Sequence, residues 1–247
     1  MKPLFALSGA LLLCMPARAQ GDAIVERAMK ASIVEGYVTV QQGQASAQPL
    51  QQGAPLHEGD VVQTGVASRA EISMSDGSTL RLGEKTRLEL RVAPPTGRAF
   101  AARLWLGTLW ARVHKLLEEE SFQIETENAV AGVRGTEFLV ETSGGLHDDS
   151  VRVHEGAVEV RERSSAWTHR VEAGNQLSFR RGLRPEGPKP IDPAAEARHP
   201  LMRWVRENPL RAPDPAERSE NRVPKNEKED RERPVRRPHL FDRFRGR

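Results

Sequence analysis

The sequence predicts an all-β domain, a sandwich or jelly-roll-like antiparallel arrangement of many short strands. Apolar residues recur at every second position, as in residues 151–153 and 158–160. This period places one row of side chains on a core and the other in water. Turn signals rich in Gly, Asp and Asn separate the runs at close spacing, which is typical of sandwiches and barrels. Glycines inside the runs, at Gly135 and Gly156, indicate a bulge, a bend or the close approach of another strand.

The elements follow one another closely along the chain. A short helical turn over residues 21–30 is expected first, and strand character starts near Ile33. In residues 100–113 the helical and strand periods compete. The last element, residues 170–179, is predicted to be a closing hairpin around Gly174 and Asn175. The remaining predicted strands are residues 36–40, 61–64, 71–74, 79–82, 88–92, 122–126, 129–141 and 150–160.

The hairpin at residues 71–82 allows its register to be predicted. A two-residue loop at Asp76 and Gly77 would place the apolar residues of the two strands on opposite faces. A loop of odd length, with Gly77 in the left-handed conformation, brings all of them to one face. We therefore predict the odd loop.

Three segments share a glycine followed by an alternating strand. They begin at Gly36, Gly107 and Gly156. We interpret all three as the same structural device, although three weak copies do not establish an exact repeat.

The N-terminus has the layout of a secretory signal peptide. Lys2 precedes an almost wholly apolar run at residues 4–15, and residues 17–19 read Ala-Arg-Ala, so cleavage after Ala19 is expected. The single cysteine, Cys14, follows three leucines, whereas lipidation signals place cysteine after small residues. An exported chain without cysteine, located in the periplasm or at the cell surface, is predicted, with no transmembrane span after cleavage.

Charge and proline divide the rest of the chain. Residues 182–247 hold 17 Lys and Arg against 12 Asp and Glu, so the positive net charge of +3 belongs to this end. The body is mildly acidic, and nucleic-acid binding by it is not expected. We predict a signal peptide, a short lead, a β domain, a linker with a short docking helix, and a disordered Pro/Arg/Glu-rich tail whose basic end could contact anionic surfaces. Their bounds are residues 1–19, 20–32, 33–181, 182–207 and 208–247.

The linker contains its own helix signals. Asp192 and Pro193 suit the start of a short helix that runs toward Arg198. The apolar residues that follow are predicted to dock on the β domain; they are Leu201, Met202, Trp204 and Val205.

Two motifs resemble the two halves of the FecR domain. The first combines Leu-x-x-Gly-Asp at residues 56–60 with Asp-Gly-Ser at residues 76–78. The second combines Val-Arg-Gly-Thr-x-Phe-x-Val at residues 133–140 with Val-x-Val-x-Glu-Gly-x-Val at residues 151–158. The motif residues, to which we assign structural roles, are Gly59, Asp60, Asp76, Gly77, Arg134, Gly135, Thr136, Phe138, Glu155 and Gly156. The resemblance implies an exported β domain of the kind found in iron-citrate sensor proteins.

The sequence offers few candidates for chemistry. Arg134 could bind a carboxylate through its planar fork, but an ion pair with Glu137 or Glu155 is the simpler expectation, and Thr136 is expected to bond locally. Residues 147–149, His-Asp-Asp, form a polar turn with too few ligands for a calcium or zinc site. Glu125 and Glu127, two apart on a strand, share a solvent face and are too weak a signal for a glycosidase. Catalytic, metal and cofactor sites are not predicted.

These observations favour a non-enzymatic exported module that binds a protein or an envelope polysaccharide through strand edges or loops. One alternative is a component of envelope signalling that acts through a separate membrane partner, because the expected leader stands where the family's sensors carry their sigma-factor-binding segment and membrane span. A second alternative is a carbohydrate-active enzyme built on a β sandwich, which would require two carboxylates facing each other in a cleft.

Overall fold

The computed structural model describes residues 28–92, 99–116, 121–145, 147–164 and 167–210. Most of this part is strand, which confirms the all-β class. The strands are β1 (Met29–Glu35), β2 (Val38–Gln42), β3 (Gln48–Pro49), β4 (Pro55–Leu56), β5 (Asp60–Thr64), β6 (Arg69–Met74), β7 (Thr79–Leu82), β8 (Arg87–Val92), β9 (Ala99–Arg112), β10 (Ser121–Glu125), β11 (Ala129–Val133), β12 (Glu137–Thr142), β13 (Asp149–Glu155), β14 (Ala157–Glu162), β15 (Thr168–Glu172), β16 (Asn175–Phe179) and β17 (Lys189–Pro190), followed by helices α1 (Pro193–Arg198) and α2 (Pro200–Glu207).

The strands form two sheets that share the long strand β9. Sheet A has the order β4-β1-β6-β7-β9-β12-β13-β16-β17. Sheet B has the order β3-β2-β5-β8-β9-β10-β11-β14-β15. All pairs are antiparallel except β9 with β10. The main apolar core draws its side chains from both sheets, as a sandwich requires.

Consecutive strands are often two halves of one bent segment, with one half in each sheet. β1 and β2, β5 and β6, β7 and β8, β11 and β12, and β13 and β14 are divided in this way. Residues 129–141 and 150–160, each predicted as a single strand, are therefore each split between the sheets. The splits fall at Gly135 and Gly156, with φ of 86° and 78°. The bend predicted at these two glycines is confirmed.

The corner in β9 shows why glycine is needed there. Gly107 has a φ of 100°, and a Cβ placed on it would lie 2.3 Å from Thr86 Oγ1. The Thr86 hydroxyl occupies this space because it accepts a hydrogen bond from Thr108 N at 3.0 Å and donates one to Thr108 O at 3.2 Å. Gly36 and Gly156 also have positive φ and lie where the chain crosses from one sheet to the other. The three glycines that we interpreted as one device therefore all lie at corners between the sheets.

The hairpin register is confirmed. Ile72 lies opposite Leu80, and Ser73 lies opposite Thr79. The connecting loop is three residues long, residues 75–77, with Gly77 at a φ of 87°. The apolar residues of both strands, Ile72, Met74, Leu80 and Leu82, are all buried in the core. The alternation of the two strands thus selected the loop length, as expected.

Two local predictions are wrong. Gly174 and Asn175 do not close a hairpin, because β15 pairs with β14 and β16 pairs with β13. Gly174, at a φ of 81°, turns the chain from sheet B to sheet A rather than back along the same sheet. At the other end, Met29 and Lys30 belong to β1, so the strand begins before Ile33 and the predicted helical turn does not include these two residues. Met29 and Ala31 alternate into the core and favour the strand.

The C-terminal helices cover the outer face of sheet A. The Asp192 side chain accepts from Ala194 N at 2.9 Å and caps α1, as predicted. Helix α2 buries Leu201, Met202 and Trp204 against Trp110 and Leu139 of the sheet, which confirms the predicted docking residues. The predictions for residues 1–19, for residues 21–27 of the helical turn, and for most of the tail, residues 211–247, lie outside the described residues.

Candidate binding surface

The two sheets differ in what lies on their outer faces. On sheet A a cross-strand row reads Glu71, Arg81, Trp110, Leu139 and Arg152. Helix α2 packs over the middle of this row. Within the described residues, sheet B carries no such helix on its outer face, and its outward side chains are largely charged. The outer face of sheet B is therefore the broad surface available to a partner.

A second cross-strand row lies at the centre of sheet B. Glu89 of β8 is opposite Arg103 of β9, and Arg103 is opposite Glu125 of β10. These residues alternate along their strands with buried Leu88, Leu90, Ala102, Leu104 and Ile124, so they point away from the core. Opposite charges on neighbouring strands favour this register.

Two further arginines join the row and form what we call the arginine cluster, Arg91, Arg103 and Arg163. Glu125 Oε2 accepts from Arg163 Nη2 at 2.8 Å and from Arg91 Nη1 at 3.3 Å. Arg91 Nε also lies 3.2 Å from Glu89 Oε1. Arg163 Nε donates to Thr126 O at 2.8 Å, which fixes the guanidinium on the sheet. The cluster thus combines three guanidinium groups with two carboxylates and carries a surplus positive charge.

Trp105 borders the cluster and orients Arg103. The Arg103 guanidinium carbon lies 3.7 Å from the centre of the Trp105 ring, within the range of a cation–π contact. The indole Nε1 donates to Glu89 Oε2 at 3.1 Å, so this carboxylate is shared between Trp105 and Arg91. Trp105 stays partly exposed, as does its neighbour Leu106.

The electrostatics of the cluster favour a bound anion. Burial lowers the pKa of the Arg103 guanidinium, and the positive charges of Arg163 and Arg91 lower it further. The Nε–H of Arg103 is buried and has no hydrogen-bond partner among the described residues. A carboxylate or phosphate placed here would relieve the repulsion and accept from guanidinium groups that are already oriented.

The motif residues of the first half have structural positions. Asp60 is buried, and its Oδ2 accepts from His57 N at 2.9 Å. Gly59, at a φ of 84°, precedes it in the turn and donates its N–H to Leu90 O. Asp76 Oδ1 accepts from Ser78 N at 2.8 Å in the hairpin loop beside Gly77. These residues shape turns and lie outside the arginine cluster.

The motif residues of the second half lie at a corner between the sheets. Arg134 is exposed beside Gly135, and Glu155 is exposed next to Gly156. Phe138 is fully buried in the core. Thr136 Oγ1 donates to Ala157 O at 3.0 Å, so the expectation of a local bond is wrong. The corner brings the two segments side by side, and the hydroxyl joins them.

The carboxylates considered for catalysis take part in other contacts. Glu125 is the hub of the arginine cluster, and Glu127 Oε2 accepts from Gly145 N at 3.0 Å. Glu137, one of the two expected ion-pair partners of Arg134, accepts through Oε2 from Arg112 Nε at 3.0 Å. Among the described residues, no group of three or more His, Cys, Asp or Glu side chains could hold a metal ion.

Asp149 is the one member of the His-Asp-Asp turn that enters the core. It is 1% exposed at the start of β13, whereas Asp148 is exposed and forms a paired contact with Arg180 at 2.7 and 2.9 Å. Burial raises the pKa of the Asp149 carboxyl, and hydrogen bonding from Thr126, Thr142 and Asn128 offsets the rise only in part. Neither Asp149 oxygen has a hydrogen bond of normal geometry among the described residues.

The variant Asp149→Asn is expected to be more stable than the parent at neutral pH. When folding raises the pKa of a carboxyl, the protein loses stability as the pH rises from the ordinary pKa of that carboxyl through its raised pKa. An amide does not titrate, so the Asn variant does not show this loss. The difference in unfolding temperature should be near zero below the ordinary Asp pKa and reach about 2–4 °C at pH 7. Thermal scans of both proteins from pH 3 to pH 8 measure it. If Asp149→Asn is less stable than the parent at pH 7, the raised pKa of the Asp149 carboxyl is contradicted.

Sequence reasoning missed the arginine cluster. Arg91 was visible only as the polar member of an alternating strand, and Arg103 stood in a segment where helix and strand competed. The signal that could have located the cluster is Arg-x-Trp at residues 103–105, once the segment is read as a strand with both side chains on its outer face.

Comparison with known proteins bears on the family. Residues 60–159 match the sequence model of one family, described as FecR protein. The chain carries a FecR domain. No curated protein matches the sequence. The matched region runs from β5 into β14, so it includes Arg91, Arg103 and Trp105, while Arg163 lies just beyond it.

Two solved structures are similar to the chain, both described as a "putative anti-sigma factor" from Parabacteroides distasonis ATCC 8503, at 1.65 and 2.50 Å resolution. The first has 19% sequence identity and a TM-score of 0.47, and the similarity covers 56% of this chain and 62% of that one. The second has 17% identity and a TM-score of 0.47, with 60% and 71% covered. This chain thus spans less than two thirds of the first structure. None of the helices in the described residues is long and apolar enough to cross a membrane.

Proposed function

We propose that this FecR-domain chain is an exported, non-enzymatic module of the cell envelope that binds an acidic polysaccharide on the outer face of sheet B. The observation that carries the proposal is the arginine cluster, in which Arg91, Arg103 and Arg163 surround Glu125. Export to the periplasm or the cell surface is supported by the signal-peptide layout of residues 1–19.

The character of the surface favours a polysaccharide over a folded protein. Glutamates are depleted at the centres of protein interfaces, whereas Glu89 and Glu125 flank Arg103 in the middle of this face. Guanidinium forks bind carboxylates with two parallel hydrogen bonds. The partly exposed Trp105 ring adds an apolar surface beside the charges, on which a sugar ring can rest.

A second candidate, envelope signalling through a separate membrane partner, is favoured by the family match over residues 60–159. In that role the same face would contact a protein. Cross-linking in intact cells from a photoreactive residue at Leu106 distinguishes the two, because Leu106 is exposed beside Trp105. Capture of a membrane protein supports signalling, and recovery of envelope polysaccharide supports the first proposal.

Removing two guanidinium groups should weaken polysaccharide binding. We expect the exported chain to bind polygalacturonate, a carboxylate polymer, and not dextran, which is neutral. The double variant Arg91→Gln/Arg163→Gln should bind at least about tenfold more weakly, since each pair of charge-assisted hydrogen bonds contributes on the order of 1 kcal/mol or more. Affinity electrophoresis and calorimetry at several salt concentrations measure the loss, and binding should weaken as salt increases.

A matched control removes two arginines elsewhere. Arg112 and Arg180 are exposed and paired with Glu137 and Asp148, outside the arginine cluster. The variant Arg112→Gln/Arg180→Gln has the same net charge as the test variant and should bind like the parent. Equal losses in both variants would reduce the effect to overall charge and contradict the proposal. Release of reducing ends from the bound polymer would contradict the non-enzymatic role.

A further inference from the structure

Strand β15 forms an edge of sheet B. It pairs on one side with β14, from Arg161 opposite Thr168 to Ala157 opposite Glu172. Within the described residues no strand pairs with its other side. The side chains alternate, because Trp167 and Val171 are buried while Thr168, Arg170 and Glu172 are exposed.

The hydrogen bonds to β14 fix which backbone groups of β15 point outward. Trp167 O accepts from Glu162 N at 3.1 Å. In an antiparallel pair the bonded residues alternate with unbonded ones, so the backbone groups of residues 167, 169 and 171 face β14. The N–H and C=O groups of Thr168, Arg170 and Glu172 face away from the β14 ladder. Glu172 O accepts from Asn175 Nδ2 at 3.3 Å, an exposed side-chain bond that an added strand would replace. A strand added to this edge would pair with these backbone groups.

The exposed charges select what kind of strand can be added. Arg170 and Glu172 are 71% and 60% exposed, and Arg170 Nε lies 2.5 Å from Glu172 Oε1. If a second copy of β15 pairs antiparallel around Val171, Arg170 of each copy lies opposite Glu172 of the other. A register centred on Arg170 would instead place like charges opposite each other, which is unfavourable. The edge is therefore complementary to itself in one register.

The inner side of this edge also lacks partners. Trp167 Nε1 and His169 Nε2 are buried nitrogens without a hydrogen-bond partner among the described residues. The Trp167 ring packs between His169 and Phe179 at the end of the core. Continuation of the sheet beyond β15 would cover this end of the core and bring further polar groups next to both nitrogens.

We propose that the chain forms a two-fold dimer in which the β15 strands pair antiparallel around Val171. A two-fold axis perpendicular to the sheet keeps both outer faces on the same side. The dimer would then present two arginine clusters to one polymer, and binding of both raises the overall affinity without new contacts. Only this last consequence rests on the proposed polysaccharide binding.

Charge exchange tests the register. Sedimentation of residues 20–247, the form expected after cleavage, should show a dimer at micromolar protein concentrations. Arg170→Glu and Glu172→Arg should each dissociate at least about tenfold more readily, because each places two like-charge pairs across the interface. The double variant Arg170→Glu/Glu172→Arg should recover the dimer. An equimolar mixture of the two single variants should form a heterodimer, since its charges are complementary at both positions.

Each outcome decides the proposal. Circular dichroism checks that the variants remain folded, as expected for exposed positions. A monomeric parent chain at hundreds of micromolar would overturn the dimer. The pairing through β15 would be overturned if both single variants dimerised as tightly as the parent. It would also be overturned if the single variants dissociated and neither the double variant nor the mixture recovered the dimer. Sedimentation requires no polysaccharide, so failure here is separate from failure of the binding proposal.

Discussion

Replacing Gly107 by alanine is expected to lower the free energy of unfolding by about 3–5 kcal/mol. Gly107 has a φ of 100°, a conformation that L residues rarely adopt. The added Cβ would lie 2.3 Å from Thr86 Oγ1 and 2.5 Å from the Thr86 backbone at Cα. Relief would require β9 and the Thr86 segment to separate, which opens the corner between the sheets. Urea unfolding followed by fluorescence and circular dichroism measures the change.

The matched control for this corner is Gly77→Ala. Gly77 has a similar φ of 87°, but nothing lies within 4 Å of the position that its Cβ would occupy. This variant should cost only the backbone strain, about 1–2 kcal/mol. The difference between the two variants measures the close approach of Thr86. Equal costs would show that the corner does not depend on that contact.

Replacing Arg81 by methionine is the second change with a large expected effect, about 3–5 kcal/mol. Arg81 is 1% exposed on sheet A, and its Nε and Nη2 lie 2.7 and 2.6 Å from Glu71 Oε2. The guanidinium also stacks on Trp204 at 5.0 Å, and Nη1 donates to Val205 O at 3.3 Å. The variant leaves the Glu71 carboxylate buried without its cation and loosens α2. Urea unfolding reports the loss, and a red shift of tryptophan emission reports the exposure of Trp204.

A second substitution separates charge burial from lost packing. Arg81→Met/Glu71→Leu removes both charges and should be more stable than Arg81→Met alone, because no unpaired carboxylate remains. The exposed pair Arg112 and Glu137 provides the surface control, and Arg112→Met should cost less than about 1 kcal/mol. If Arg81→Met costs no more than Arg112→Met, the ion pair does not hold α2 on the sheet.

Much of the fold could be predicted because its signals are local. The alternation of residues 71–82 fixed a loop of odd length, and the apolar residues of α2 identified the surface that docks. The place of Gly135 and Gly156 inside strands predicted a bulge, a bend or a close approach, and the structure shows a bend at both. These features depend on neighbours in the sequence, where periodicity and turn chemistry act directly.

The parts that could not be predicted depend on pairing across the chain. Asn175 follows a glycine in a hairpin-like sequence, yet β15 and β16 separate because their partners lie in different sheets. The arginine cluster joins Arg91 and Arg163 to Glu125 through strands that local patterns do not place side by side. Register between distant strands is set by packing of the whole core, and a single sequence does not display it.

Binding of acidic polysaccharide at the arginine cluster can be tested by following the four tryptophans during a titration with an acidic oligosaccharide. Each indole N–H gives one signal in a nitrogen–proton correlation spectrum, and the four residues lie in different environments. Trp105 borders the arginine cluster, Trp110 and Trp204 lie between sheet A and α2, and Trp167 lies at the β15 edge. Oligogalacturonate should shift the Trp105 signal and leave the other three in place. A shift of Trp110, Trp204 or Trp167 with Trp105 unchanged would contradict binding at the arginine cluster.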